Sequence, residues 1–280
     1  PYVRGKVTSK KIDDILFEAE QLVSNGYKEI VLTGIHLGAY GKETGYQLNI
    51  INVLEELQAL PGLERIRLSS IEVNEVTDDL IDLIADSDRV CPHFHLPLQS
   101  GDDYILKRMN RKYDAAQYLE TVERIRGRLE LPSISTDILV GFPGEKRIHF
   151  ENTMKLCEQA GFSRAHIFSY SPREDTPAAK MPDHCKPSDI KERKKELEFL
   201  TAETSLEYKN LFVGRDIGIL VEKERDKKTG KLCGYSDRYI KALFDGPDDL
   251  MNEIADVHVE SVSPQFVMGK CCSHAERGNK

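Results

Sequence analysis

An alternation of strand-like and helix-like segments runs through the first 170 residues and constrains this chain more than any other feature. Apolar residues Ile12, Ile15, Leu16, Ala19, Leu22 and Val23 recur at helical spacing, so residues 11–25 read as an amphipathic helix. Ser9 stands where it could cap the start, and Gly26 where a left-handed residue closes a helix. Short runs at 29–33, 65–70, 93–98, 133–140 and 164–170 read as strands, and the stretches 49–60, 77–86, 115–129 and 148–160 between them as helices. Strands separated by such helices run parallel, because each crossover returns the chain to the same end of the sheet. Polar residues follow directly after each strand, where β/α barrels carry their sites. The pattern therefore predicts an α/β fold, a partial (β/α) barrel rather than a doubly wound sheet. A parallel barrel opens on a strand, whereas this chain opens on a helix. The expectation is a first strand upstream of Pro1.

Beyond residue 185 the character changes. Residues 186–210 read as a charged connecting helix, and β-rich segments at 217–221, 239–243 and 254–262 are separated by Gly, Asp and Lys turns. The expected division is a barrel domain over 1–185, a helical connector over 186–210 and a small all-β barrel over 211–280. Of the 280 residues 31% are charged and 40% hydrophobic, which excludes a disordered or fibrous chain. No apolar run approaches the roughly 20 residues of a membrane span, so no membrane association is expected. A net charge of −8 argues against a free-standing, non-specific nucleic-acid binder. The cysteines at 91, 157, 185, 233, 271 and 272 are scattered without a C-x-x-C. This points to a reducing, cytoplasmic setting and to no metal site of their own.

The chemistry-bearing residues sit at the predicted strand ends. Thr33 and Gly34 open the first loop, and Gly34 and Gly38 would let a ligand approach the backbone. Ser69, Ser70 and Glu72 end the second strand and offer two hydroxyls and a carboxylate, although taken alone a helix cap plus a surface acid explains them better. His93 and His95 share one strand face but lack a third metal ligand at telling spacing, so Gln99 and Ser100 are the better ligand groups there. Asp137 stands in an apolar strand before the Gly141-Phe-Pro-Gly144-Glu145 turn, and a buried aspartate must find partners or shift its pKa. Phe168 to Pro177 leaves the fifth strand and could close over a base. Lys107, Arg108, Arg111 and Lys112 form a basic run, a solvated face or a phosphate contact.

Taken in order, Pro1-Tyr2-Val3-Arg4-Gly5, Leu32-Thr33-Gly34, Leu68-Ser69-Ser70, His95-Leu-Pro-Leu-Gln99-Ser-Gly101, Lys107-Arg-Met-Asn-Arg111 and Asp137 through Glu145 resemble the radical SAM methylthiotransferases. The final β-rich segment, with Gly234 to Lys241, is similar to their TRAM domain, a small RNA-binding barrel. Gly34-Ile-His-Leu-Gly38 resembles the branch acting on N6-threonylcarbamoyladenosine at position 37 of tRNA. Other branches act on isopentenyladenosine tRNA or a ribosomal protein.

In that family a C-x-x-x-C-x-x-C loop directly precedes the Pro-Tyr-Val-Arg-Gly stretch. The resemblance thus places the ligands of the radical-generating [4Fe–4S] cluster, and a second cluster, upstream of this chain. No catalytic residue is then visible in it, and the isolated chain is expected to be inactive. The resemblance further implies S-adenosyl-L-methionine (SAM), tRNA as partner through its anticodon loop, and a flavodoxin or ferredoxin as electron donor. It implies that Thr33 and Gly34 hold the SAM amino group, and that Ser69, Ser70, Glu72 and Gln99 hold its methionyl and ribose atoms. Asp137 would anchor the ribose, Gly141 and Phe168 would flank the adenine, and Lys107, Arg108, Arg111 and Lys112 would meet the RNA backbone. Lys146-Arg-Ile148 departs from the polar, acidic run the family carries after its Pro-Gly-Glu turn. A non-radical β/α-barrel lyase and a non-catalytic RNA-binding scaffold are the readings from other classes.

Overall fold

The computed structural model describes residues 8–45 and 47–272. The Pro-Tyr-Val-Arg-Gly stretch therefore lies outside the described residues, as does His274 of the Cys271-Cys272-Ser-His274 run, which the sequence reads as a chain end rather than a metal site. Five strands, β1 (Glu29–Leu32), β2 (Arg65–Leu68), β3 (His93–His95), β4 (Ser133–Val140) and β5 (Arg164–Ser169), follow one another with helices between them. All their pairings are parallel, β1 with β2, β3 with β4 and β4 with β5. A parallel bridge from Ser70 to His95 and the hydrogen bond from Ile71 N to His95 O join the two groups. Neighbours are thus consecutive in sequence and the order never reverses. That is the arrangement of a partial barrel, whereas a doubly wound sheet requires a reversal. Among the described residues no strand pairs with the other edge of β1.

Helices α1 (Ile12–Ser24), α2 (Ile50–Gln58), α3 (Asp78–Ala85), α4 (Asp103–Arg108), α5 (Ala115–Arg128), α6 (Arg147–Ala160) and α7 (Pro187–Asn210) supply the outer layer. Several of these helices are anchored by caps at one end. Asn49 and Asn52 form a reciprocal capping box on α2, and Thr77 caps α3, each worth about 1 kcal/mol. Gly26, at φ +86°, ends α1 with Gly26 N bonded to Val23 O and Tyr27 N to Leu22 O. Ser9 does not cap α1: Lys11 holds that position, and the Ser9 hydroxyl bonds Glu43 instead. The buried side chains Leu54, Leu57, Ile66, Leu80 and Phe94 fill one core between sheet and helices.

A second core lies in a closed barrel of β6 (Asp216–Val221), β7 (Leu232–Ser236), β8 (Lys241–Asp245), β9 (Ile254–Val262) and β10 (Val267–Cys271), built on Ile219, Leu232, Phe244 and Val257. Helix α7 serves both cores, carrying Leu197 into the first and Tyr208 into the second. Three expectations need correcting here. β3 stops at His95, short of the run to 98. The strand expected over 239–243 begins at Lys241, because Tyr239 has φ +61° and forms the turn. β10 had no counterpart among the expected strands, and the 234–241 stretch likened to a TRAM strand coincides with β7 only over its first three residues.

Candidate ligand site at the strand ends

The sheet is two-faced. Along β4, Ile134, Thr136, Ile138 and Val140 point to the helices, and Ser133, Ser135, Asp137 and Leu139 to the concave side. The same alternation puts Arg65 and Arg67 of β2, His93 and His95 of β3, and Arg164, His166 and Phe168 of β5 on the concave face. This polar lumen is where a ligand can meet protein groups, since the other face is occupied by the core.

The sequence-expected residues gather at its C-terminal rim. Thr33 and Gly34 follow β1 and are exposed. Ser69, Ser70 and Glu72 follow β2, and Gln99 follows β3. Gln99 sits at φ +63°, a strained position for a non-glycine residue. Its N–H donates to Asp137 O, and its carbonyl accepts from Leu139 N, so it extends β4's neighbour past the end of β3. Asp137 is not a buried aspartate: facing the lumen, its side chain keeps 28% exposure. Phe168 is 51% exposed on the same face. Beside the rim, a cavity of about 900 Å3 runs along the free edge of β1, walled by Thr33, Gly34, His36, Tyr40, Ile15 and Leu22.

Other residues of the motifs have packing roles. A Cβ on Gly38 would lie 2.4 Å from Glu75 Cβ, so that glycine makes room for a side chain of this chain. Gly141, at φ +83°, is buried, and a Cβ there would lie 2.4 Å from Ile190 Cγ1 of α7. Glu145 is 6% exposed and pairs at 2.7 Å with Arg193 of α7, also buried, while desolvation raises the Glu145 pKa. The Gly-Phe-Pro-Gly-Glu turn therefore clasps the connector helix. Arg108 donates to Pro143 O and Arg111 to Glu72, whereas Lys107 and Lys112 stay exposed.

Sequence reasoning missed the lower end of the lumen. Arg67, 2% exposed, bonds Glu29 at 2.8 Å, Asp237 O at 2.7 Å and Ser236 O at 3.1 Å, and lies 4.5 Å from the Tyr239 ring centre. Arg65 reaches Tyr235 O and Gly218 O. Tyr239 stacks on His93 with centroids 5.3 Å apart. The small barrel thus plugs the N-terminal end of the sheet. The available signal was the Arg-Ile-Arg-Leu alternation of β2, which marks one strongly polar face.

A singly wound parallel sheet with a polar lumen and a ligand rim at its C-terminal edge defines the class of β/α-barrel enzymes. The radical SAM superfamily model matches residues 1–157, and the chain belongs to that superfamily. The threonylcarbamoyladenosine tRNA methylthiotransferase MtaB of Thermotoga maritima is 39% identical over 263 residues, 94% of this chain and 59% of that protein. The tRNA-2-methylthio-N(6)-dimethylallyladenosine synthase of Alkaliphilus oremlandii is 37% identical over 259 residues, 92% of this chain and 55% of that protein. The chain therefore spans less than two thirds of the length of these curated relatives. Among solved structures, coproporphyrinogen III oxidase from Escherichia coli superposes with a TM-score of 0.52 at 15% identity, covering 71% of this chain and 48% of that one, a likeness of fold.

Membership implies SAM and a [4Fe–4S] cluster. Among the described residues no group of three or more His, Cys, Asp or Glu is placed to hold a metal ion. The described cysteines therefore do not fit a cluster. The hydroxyl, amide and carboxylate groups of the rim do fit a ligand bearing sugar and amino-acid groups. Among the described residues no helix is long and apolar enough to cross a membrane.

Proposed function

We propose that this chain is the SAM-binding and RNA-facing part of a tRNA methylthiotransferase that modifies C2 of N6-threonylcarbamoyladenosine at position 37. The observation that carries the reading is the 39% identity to a relative of that name across 94% of the chain. A polar rim of the matching chemistry supports it.

Bound SAM, given one electron by the cluster, would supply the hydrogen-abstracting radical, and another SAM the methyl group. The chain's own groups bind, orient and exclude water. Thr33 and Gly34 take the amino-acid end. Ser69, Ser70, Glu72 and Gln99 take methionyl and ribose oxygens, Asp137 accepts from a hydroxyl, and Phe168 offers an exposed face for an adenine. Gly141 supports that wall through Ile190. A second cluster, a flavodoxin or ferredoxin donor and a cytoplasmic setting belong to the same proposal. So does the division into 1–185, 186–210 and 211–280.

The five-stranded barrel is read as a TRAM domain. Exposed Lys107 and Lys112 at the rim are the cations offered to the anticodon-loop backbone, with Arg108 and Arg111 shaping that surface through their internal bonds. Replacing Lys107 and Lys112 together by Glu should weaken RNA binding and flatten its salt dependence by about one to two units. Unchanged binding rejects that footprint.

The deciding experiment is mass spectrometry of tRNA nucleosides from cells lacking the intact gene, with and without complementation. Loss of the 2-methylthio group from threonylcarbamoyladenosine is expected. Loss from dimethylallyladenosine assigns the neighbouring branch, which the 37% identity to a relative of that name favours as the second reading. A normal nucleoside profile overturns both.

A further inference from the structure

Two hydrogen bonds and one ion-pair contact cross the lumen floor in series. His93 Nε2 lies 3.2 Å from Ser135 Oγ, Ser135 Oγ lies 2.9 Å from His95 Nδ1, and His95 Nε2 lies 3.4 Å from Asp137 Oδ2. Among the described residues the buried side-chain polar atoms without a partner are His93 Nδ1 and the Tyr170 hydroxyl.

The chemistry of these groups gives the chain a direction. An ionised carboxylate only accepts, so the proton between Asp137 and His95 belongs to His95 Nε2. With its one ring proton on Nε2, His95 presents a bare Nδ1, and the Ser135 hydroxyl donates to it at 2.9 Å rather than to Phe94 O, which lies farther off at 3.4 Å. Ser135 Oγ is left as an acceptor and takes the N–H of His93 Nε2. His93 is neutral, because burial, and next the Arg67 charge, depress its pKa to about 3. Its remaining nitrogen, Nδ1, is then a bare acceptor, and that is the ring atom found without a partner. The opposite direction would put an N–H on His93 Nδ1. A buried N–H with no acceptor is the rarer and costlier defect. Tyr239 and Arg67 cover His93 from below, the Arg164 charge of β5 also acts on His93, and His166 of β5 flanks His95 at the upper end.

We propose that His95 is a positioning residue, its tautomer set by Ser135 and His93, which holds Asp137 by Oδ2 and leaves Oδ1 as an acceptor subsite for a hydroxyl or amine of the ligand. No described residue donates to Oδ1. The identity of that ligand, though not the network, rests on the reading under Proposed function. The donor could come from a nucleoside cofactor or from an RNA nucleotide.

Selective 15N labelling of histidine in the 280-residue chain reads the ring tautomers at neutral pH. Protonated Nε2 and bare Nδ1 are expected for both His93 and His95, and a proton on His95 Nδ1 overturns the proposal. Ser135→Ala should shift the His95 ring-nitrogen signals. If it fails to fold, Ser135→Thr, which keeps the hydroxyl, should keep the Nε2 tautomer, and a switch to Nδ1 rejects the network.

Two probes then separate the donors, S-adenosylhomocysteine and an anticodon stem-loop RNA. His95→Gln keeps an N–H toward Asp137 and an oxygen toward Ser135, whereas His95→Leu keeps neither. The glutamine variant should stay within about threefold of the parent affinity, and the leucine variant should lose about tenfold for the probe whose donor reaches Oδ1. Equal affinities of the two variants for both probes overturn the subsite. A parent chain that binds neither probe sinks the functional reading, and the ring-nitrogen spectrum still decides the network.

Discussion

At the scale of single residues, His93 couples the fold to pH. Desolvation, then Arg67, holds its pKa near about 3 instead of 6.5. Below pH 6.5 the unfolded chain takes up a proton that the folded chain refuses until about pH 3. Stability is therefore intact above that window and erodes as pH falls through it, by about 1.4 kcal/mol per pH unit from this group. His93→Phe keeps a ring against Tyr239 without the titration. Urea denaturation from pH 6.5 downward should show a flatter decline for the variant, and parallel declines would rule the coupling out. Asp137 was legible in the sequence because a carboxylate interrupts an apolar strand. Its partner was not, since His95 meets it only where β3 and β4 align side by side.

The elements were mostly legible, and for a local reason: helical or alternating spacing of apolar residues fixes each one within its own stretch of chain. β4 and β9 match the expected bounds, and α2, α3, α5 and α6 lie within about two residues of theirs. β10, and β7 but for the resemblance of the stretch from Gly234, escaped because each is short and carries a glycine, Gly269 and Gly234, that breaks the alternation. What the motif around Gly141 does was also hidden, as its partner is a helix some fifty positions on. Gly141→Ala should cost about 2–4 kcal/mol, from the positive φ and the contact with Ile190, and Ile190→Ala in the same chain should return part of it. Arg193→Met leaves Glu145 charged and buried without its cation, and should cost about 3–5 kcal/mol in chemical denaturation. A loss under about 1 kcal/mol would show that α7 is held by its apolar face alone.

At the scale of the molecule, two units are joined by polar groups taken out of water. Arg67→Met removes the hydrogen bonds that Glu29, Asp237 O and Ser236 O receive from the guanidinium. Faster amide exchange in β6 and β7 and easier cleavage around residue 214 are the expected outcome, and unchanged exchange would place the attachment elsewhere. The rim residues and the small barrel lie at opposite ends of the sheet, so an RNA that touches both must reach past the lumen's open side. The sequence by itself determined the parallel β/α alternation, the amphipathic faces and the clustering of polar groups after each strand. These follow from side-chain period and turn chemistry over a few residues. Only the tertiary structure decided that Arg65 meets Tyr235 across 170 positions, that Glu145 clamps α7, and that Tyr239 floors the lumen. Such contacts depend on how whole layers come to rest on one another, and no local pattern carries that information.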